Sequence, residues 1–260
     1  MRVYCVLADP EPHQTSFIHR VYKMAIDTLK LNENEVRTLD LYRSSFTQLP
    51  SLNDYDFPIP GGSLADQARE GLYKEEILRC QSTIEWCTHL LLFTPLDWIS
   101  PAPILIGWWE KVFGEGWAFS PNQIFDKGFM SGKRAMMVVV TPQTQNFYGK
   151  EAINVTVEEL MYNMTFRCFA RCGFTALRTQ AFFGLGTASP QLQVDMLNAW
   201  SERVRDLRTR EVIEYVLIPE ETGNRFTEST TDKVTNHKIL TNLGDYELMV
   251  KKDAYALDYS

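Results

Sequence analysis

The sequence has few of the residues that build a disulfide framework, a metal centre or a hydrolytic triad. Its five cysteines, at positions 5, 80, 87, 168 and 172, are odd in number and form no CxxC pair, which is typical of reduced thiols in an intracellular protein. Cys168 and Cys172 lie four residues apart on a predicted helix, but no further ligands stand at metal-binding spacing. We interpret them as core thiols and predict no metal site. The four histidines form no Ser-His-Asp order.

The chain also lacks a long apolar run and an excess of positive charge. No segment is apolar enough to cross a bilayer, and the opening MRVYCVLA predicts a strand rather than a signal sequence. Lys and Arg number 26 against 33 Asp and Glu, a net charge of -7, which argues against nucleic acid as the main partner. We expect a cytoplasmic protein, with an organellar location within a larger assembly as the alternative.

What the chain does contain is an alternation of buried strands and helices, with 45% hydrophobic residues over 260 positions. Apolar runs predict strands at 3–8, 35–41, 89–93, 135–141 and 176–183. Helical spacing predicts helices at 17–31, 64–87, 104–113, 155–172 and 191–210, the last capped at Ser189 with Pro190 in its first turn. This order predicts an α/β fold with a doubly wound five-stranded parallel sheet and helices on both faces.

The stretch 88–119 organises the chain. A buried strand ends near Pro95, a loop rich in Pro and Trp follows, and a helix leaves with Glu110 and Lys111 expected on its solvent side. Ligands of open α/β sheets bind at the carboxyl ends of strands. Trp98 would offer a flat apolar face there, with a planar ring system as its ligand. Packing of Trp98 beneath the loop is the alternative.

The first loop, DPEPHQTS at residues 9–16, ends at a predicted helix N-terminus. Backbone amides, the helix dipole and the hydroxyls of Thr15 and Ser16 can hold a phosphate there. A helix cap without a ligand is the alternative. We expect His13, in the same loop, to be solvated.

The composition changes after Pro219, where the chain becomes polar and rich in Thr. We therefore divide the chain into a domain at 1–218 and a C-terminal extension at 219–260. The extension is compatible with an arm that packs on a partner protein and equally with a disordered tail.

Several motifs, covering residues 3–215, carry a resemblance to a known family. They are PLDWISPAPILIGWWEKVF followed by WAF and FDKG, then VVVT, FYG, RCGF at 171–174 and LNAW at 197–200, with Thr15-Ser16-Phe17 in the first loop. The chain resembles the flavin-dependent NAD(P)H:quinone oxidoreductases, which have the flavodoxin-like fold. The PLxW…GWxxxVF block is the specific part, since several unusual residues keep their spacing together.

The resemblance implies a homodimer that binds FAD at its interface, takes a hydride from NAD(P)H and reduces a quinone. It assigns the pyrophosphate to Thr15, Ser16 and Phe17. It assigns the isoalloxazine ring to Pro95, Leu96, Asp97, Trp98 and Ile99, and the pyrimidine edge of that ring to Thr141, Pro142 and Gln143. It places Tyr148 and Asn154 as the catalytic pair that stabilises charge on the reduced flavin, and Phe119, with Trp98, over the substrate.

The chain departs from the family at positions that would touch the flavin. Asn154 stands where the family has His, so it can donate a hydrogen bond but cannot become a cation. Pro142-Gln143 replaces Gly-Gly, which removes an amide donor and the freedom for close backbone approach. Asp97 replaces Tyr and places a carboxylate beside the ring. Further departures are a first loop two residues longer, Ile18 for Asn, Pro121 in the lid, Arg171 for Phe, and Gln193 for a basic residue.

Two main hypotheses follow. In the first, the protein is an NAD(P)H:quinone oxidoreductase that binds FAD, with FMN as the less favoured flavin. In the second, the flavin site has degenerated, no cofactor binds, and the fold serves as a structural or accessory subunit. An FMN-binding electron carrier or a flavin-dependent regulatory subunit is a third, weaker hypothesis.

Overall fold

A parallel sheet forms the centre of the protein, for which a computed structural model describes residues 1–11, 15–44, 46–149 and 151–214. His13 and the extension at 219–260 lie outside the described residues. The strands are β1 (Arg2–Leu7), β2 (Glu35–Asp40), β3 (His89–Pro95), β4 (Arg134–Val140), β5 (Thr175–Ala176) and β6 (Gln180–Phe182). Their order is β2-β1-β3-β4-β5, with β6 also paired to β4, and every pair is parallel. The predicted fold class is confirmed.

The fifth strand was predicted as one segment at 176–183 but occupies two pieces, β5 and β6. Between them the chain leaves the ladder at Thr179, whose backbone N–H and hydroxyl donate to the carboxylate of Glu158 at 2.8 and 2.9 Å. Glu158 and Thr179 are both buried. A side chain therefore takes the place of the neighbouring strand, and no sequence periodicity signals such a partner.

Apart from short 3₁₀ turns, the described ranges contain seven helical segments. They are α1 (Phe17–Leu31), α2 (Leu64–Glu70), α3 (Glu75–Trp86), α4 (Pro103–Val112), α5 (Val157–Leu160), a π-helix (Asn163–Ala170) and α6 (Pro190–Val204). Because crossovers between parallel strands are right-handed, α1 lies on one face of the sheet, and α3 and α4 lie on the other. The indole of Trp200 on α6 donates to the carbonyl of Val21 on α1 at 3.0 Å, so α6 joins the α1 face.

Three helices differ from their predicted bounds. The predicted helix 64–87 is interrupted at Gly71, which ends α2 in a left-handed conformation with φ of 70°. The predicted helix 155–172 contains a single α-helical turn followed by the π-helix, whose wider turns break the 3.6-residue period on which the prediction relied. The predicted helix 191–210 ends at Val204, and a short 3₁₀ turn follows after Asp206.

The prediction that Lys111 faces solvent is wrong, whereas Glu110 is exposed as expected. The Lys111 ammonium is buried and donates to the carboxylate of Asp54 at 2.7 Å and to the hydroxyl of Thr47 at 2.9 Å. The segment after β2 folds over α4 and brings these acceptors with it. Helical spacing alone cannot show a covering loop from elsewhere in the chain.

Because the strands are parallel, the chain leaves β1, β3, β4 and β6 at one edge of the sheet, the carboxyl ends of the strands. Backbone bonds tie neighbouring segments together at this edge, including Ala8 N–H to the carbonyl of Phe93 at 2.8 Å and Leu96 N–H to that of Val140 at 2.9 Å. No helix in the described ranges is long and apolar enough to cross a membrane.

Candidate functional site

The loop after β3 presents the indole of Trp98 to solvent, with 92% of the residue exposed. Trp98 is therefore not packed beneath the loop. The hydroxyl of Thr94 closes the loop by accepting from the N–H of Ala102 at 2.9 Å. Ile99 has φ of 58°, a costly conformation for a β-branched residue. Within the described part of the chain, the amides of Asp97 and Trp98 donate to no protein acceptor, so the loop offers a flat ring and two donors.

The loop after β4 gathers the predicted residues into one hydrogen-bonded ring. The Gln143 N–H donates to the Thr141 hydroxyl at 3.3 Å, and this hydroxyl lies 2.8 Å from that of Tyr148. The Tyr148 hydroxyl donates to Oε1 of Gln143 at 2.7 Å, and Nδ2 of Asn154 donates to the same oxygen at 3.3 Å. The predicted pair Tyr148 and Asn154 is thus brought together, but both donors bond Gln143.

Tyr148 is 7% exposed, so it is not an aromatic residue packed on the surface. Its ring lies 5.4 Å from that of Phe183. Two glycines that sequence analysis missed bond to the backbone of this loop. Gly184 N–H donates to the carbonyl of Gln143 at 2.7 Å, and Gly186 N–H donates to the carbonyl of Pro142 at 3.2 Å. The Gly-Leu-Gly spacing after a strand is the signal that could have identified them.

The loop after β1 places a carboxylate at the N-terminus of α1. Ser16 caps α1 as predicted, accepting from His19 N–H at 3.2 Å, but its hydroxyl donates to Asp9 at 2.5 Å. Asp9 is buried and was not identified from the sequence, although it directly follows β1. The amides of Phe17 and Ile18 donate to no acceptor in the described ranges, whereas Thr15 is exposed.

The carboxylates of Asp9 and Asp97 both place negative charge near Tyr42. The pKa of Tyr42 is raised by partial burial and by the negative charges of Asp9 and Asp97. A positive side chain lies nearby as well: Arg20 donates to Gln193 at 2.7 Å and lies over the Phe17 ring at 5.5 Å. Gln193 stands at the start of α6 where the family has a basic residue. Arg20 of α1, which sequence analysis did not single out, therefore provides positive charge at this position.

Phe119 and Arg171 form a pair, with the guanidinium 5.0 Å from the ring centre. No contact in the described part of one chain joins Phe119 to Trp98. Pro121, at the second lid position, is exposed. Within a single subunit the predicted lid is thus separate from the Trp98 loop.

Four of the five cysteines are buried, and Cys168 is half-buried. Burial raises the pKa of Cys168 and Cys172 to about 12 in both cases, which disfavours the reactive thiolate. No cluster of His, Cys, Asp and Glu in the described ranges could hold a metal ion.

A flavin fits the ring end of this site well and its phosphate end less well. The Trp98 face, the free amides of Asp97 and Trp98, and the amide group of Gln143 suit a planar heterocycle with carbonyl oxygens at its edge. At the phosphate end, the free amides of α1 favour an anion and Asp9 opposes it.

Comparison with known proteins agrees with this architecture. A model of the flavodoxin-like fold family matches residues 1–204. NAD(P)H dehydrogenase (quinone) 1 of Cavia porcellus is 27% identical over 214 residues, which cover 79% of this chain and 77% of that protein. The human ribosyldihydronicotinamide dehydrogenase (quinone) is 28% identical over 219 residues, covering 82% and 94%. A crystal structure described as a quinone reductase from Klebsiella pneumoniae superposes with a TM-score of 0.77 at 22% identity, covering 88% and 98%.

The fold and the arrangement of loops at the carboxyl edge define a flavodoxin-like protein. The chain belongs to the flavodoxin-like family, and the relatives to which it is similar include NAD(P)H and ribosyldihydronicotinamide dehydrogenases (quinone). The resemblance inferred from the PLDW block is confirmed.

Proposed function

We propose that the protein reduces quinones or related acceptors with two electrons from NAD(P)H, using a bound flavin. The observation that carries this proposal is the exposed indole of Trp98, held on a strained loop at the carboxyl edge between β3 and β4. Such a face is costly to leave in water and suits a planar ring. The relatives are named as NAD(P)H and ribosyldihydronicotinamide dehydrogenases (quinone), which supports the reaction class.

The chemistry supplied by a bound flavin is two-electron transfer between a hydride donor and a quinone. The chain supplies position and electrostatics. Trp98 would lie along the ring and exclude water from one side. The amides of Asp97 and Trp98, with Gln143, would hold polar atoms at the ring edge. Tyr148 and Asn154 both donate to Oε1 of Gln143 and would act on the flavin through that residue.

We further propose that the flavin is FAD and that the protein is a homodimer. The amides of Phe17 and Ile18, which donate to no acceptor in the described ranges, can serve as donors to a pyrophosphate. FMN, which needs only one phosphate, is the alternative. Because Phe119 has no contact with Trp98 in its own chain, it would serve as a lid for the site of the other subunit.

A second candidate function is that of a flavin-free structural or accessory subunit. It is favoured by two observations at positions where flavin donors are expected. The Ser16 hydroxyl is committed to Asp9, and the donors of Tyr148 and Asn154 are committed to Gln143. In this case these side chains bond to the protein rather than to a flavin.

The deciding experiment is a titration of the purified protein with FAD and with FMN, followed by absorbance and flavin fluorescence. We expect saturable binding, bleaching of the bound flavin by NAD(P)H, and recovery on addition of a quinone. Trp98→Ala should weaken flavin binding at least tenfold without changing thermal stability. Leu31→Ala is the matched control, since Leu31 is 83% exposed at the end of α1 that lies away from the site. A wild-type protein that binds neither flavin would overturn the oxidoreductase proposal and favour the accessory subunit.

A further inference from the structure

The amide group of Gln143 is oriented by the residues around it. Its Oε1 accepts hydrogen bonds from the Tyr148 hydroxyl at 2.7 Å and from Nδ2 of Asn154 at 3.3 Å. An oxygen can accept both bonds, whereas an NH₂ group could accept neither. With both donors on Oε1, Nε2 is directed away from them.

The orientation is reinforced by a closed cycle that begins and ends at Gln143. Its N–H donates to Thr141 Oγ1, and Tyr148 donates its hydroxyl proton to the Gln143 side chain. Because the Tyr148 proton is used in this way, the bond between the two hydroxyls requires Thr141 as the donor. Hydrogen bonds in such a cycle polarise and strengthen one another, most of all where they are buried. Thr141 and Tyr148 are both buried, so the cycle holds Gln143 in one rotamer.

The Nε2 group is the part of this cycle that remains available. It makes no hydrogen bond to the described part of the protein, and Gln143 is partly exposed on the loop that follows β4. The preceding Pro142 has no N–H, and the N–H of Gln143 is used by Thr141. Of the Pro142–Gln143 pair, only the side-chain amide can therefore donate to a ligand at this edge.

We infer that Gln143 presents Nε2 as the hydrogen-bond donor to a carbonyl oxygen at the edge of the flavin, and that Tyr148 and Asn154 are positioning residues acting through it. This inference rests on the proposed flavin-dependent function. The donor is neutral, so its support for negative charge on a reduced ring does not titrate near neutral pH. A preorganised donor aimed at developing charge stabilises the reduced form more than the oxidised form.

The test uses Gln143→Glu, which keeps an oxygen for Tyr148 and Asn154 but replaces the Nε2 donor with a second carboxylate oxygen. Flavin affinity and the midpoint potential of the bound flavin are measured for wild type and variant. We expect Gln143→Glu to weaken binding of reduced flavin at least tenfold more than binding of oxidised flavin. For a two-electron couple this lowers the midpoint potential by about 30 mV.

Gln145→Glu is the matched control, since it introduces the same charge in the same loop without touching the hydrogen-bonded cycle. Tyr148→Phe should lower the potential in the same direction by a smaller amount, because Gln143 keeps its bond from Asn154. Thermal unfolding without flavin is recorded for each variant. Gln143→Met, which lacks both donor and acceptor, should also lower the potential.

The outcomes separate this inference from the function on which it rests. A wild-type protein that binds no flavin overturns both. A wild-type protein that binds flavin, with potentials of Gln143→Glu and Gln143→Met equal to that of Gln145→Glu, overturns the role of Gln143 alone. Loss of thermal stability without a change in potential would show a structural role and also overturn it.

Discussion

At the residue scale, the charge at the N-terminus of α1 decides how well the site accepts a phosphate. A helix N-terminus attracts anions, but here the protein supplies its own anion, because Asp9 accepts from the Ser16 hydroxyl and from Glu11 N–H. Asp9 is buried, so solvent screens its charge poorly. The same residue therefore stabilises the loop and opposes an incoming phosphate.

Asp9→Asn should increase affinity for FAD about tenfold, or about 1.4 kcal/mol, because the carbonyl of Asn still accepts from Ser16 while the repulsive charge is lost. Fluorescence titration with FAD measures this. Asp27→Asn is the control, since Asp27 is exposed on the same helix ten residues after Phe17, or about 15 Å along the axis. Equal affinity of the two variants would contradict an anion site at this terminus.

His89, at the start of β3, makes stability depend on pH. Its Nδ1 lies 2.9 Å from the Thr88 hydroxyl, and its buried Nε2 has no partner in the described part of the chain. Burial, with the nearby charge of Arg134, lowers the pKa of His89 to about 4. In the unfolded chain the pKa of this imidazole is near 6.5. Between about pH 4 and pH 6.5 the imidazole is therefore protonated in the unfolded chain but neutral in the folded one. Stability is complete above about pH 6.5 and falls as the pH drops toward 4.

We expect His89→Gln to remove about 2 kcal/mol of the stability difference between pH 7 and pH 5, because each unit of pKa shift corresponds to about 1.4 kcal/mol. Urea unfolding at the two pH values measures it. The comparison must be made against wild type, since burial raises the pKa of Glu158 and so gives a contribution of opposite sign. Identical pH profiles for the two proteins would show that His89 does not titrate in this range.

At the element scale, the buried ion pair between Lys111 and Asp54 attaches the segment after β2 to α4. The Lys111 side chain is 3% exposed and that of Asp54 is 13% exposed, and the ammonium also lies 5.2 Å from the Phe46 ring centre. Removing one partner of such a pair leaves the other charge buried and uncompensated.

Lys111→Met should therefore lower the free energy of unfolding by about 3 kcal/mol, as measured by urea denaturation. Adding Asp54→Asn should recover part of the loss, because the isolated charge is removed. Glu110→Met, at the exposed neighbouring position, should change stability by less than about 0.5 kcal/mol. A Lys111→Met variant as stable as Glu110→Met would show that the pair does not hold the segment.

At the scale of the whole molecule, some of the exposed apolar side chains lie on the loops of the candidate site. Besides Trp98, they include Ile153, 83% exposed, and Val155, 50% exposed, both on the loop after β4. Apolar patches beside a ligand site are typical of an interface. The proposed homodimer would cover them.

Ile153→Glu should dissociate the dimer, because a charge would be buried in the interface, and a shift toward the monomer mass should be visible by light scattering after size exclusion. Leu31→Glu is the matched control, since Leu31 is also 83% exposed but lies at the end of α1 near the amino ends of the strands. A wild-type protein that is monomeric, or equal behaviour of the two variants, would contradict this interface.

The sequence alone determined the fold class, and the residues it predicts for a flavin site lie on the loops at the carboxyl edge of the sheet. Strand and helix periods are local properties of the chain, so the strands appeared within a few residues of their predicted bounds, and Ser189 and Pro190 marked the start of α6 correctly. The PLDW block was recognisable because its spacing survives in one continuous segment. Tyr148 and Asn154 could be counted from RCGF for the same reason.

Only the tertiary structure decided how these residues are used. Lys111 is buried because a segment more than fifty residues earlier covers it, and the fifth strand divides because Glu158 reaches across to Thr179. Asp9 accepts a hydrogen bond from Ser16, and Gln143 accepts hydrogen bonds from Tyr148 and Asn154. These side-chain contacts leave no periodic pattern in the sequence. Periodicity reports which face of an element is apolar, whereas hydrogen bonding in a site depends on where other elements bring their side chains.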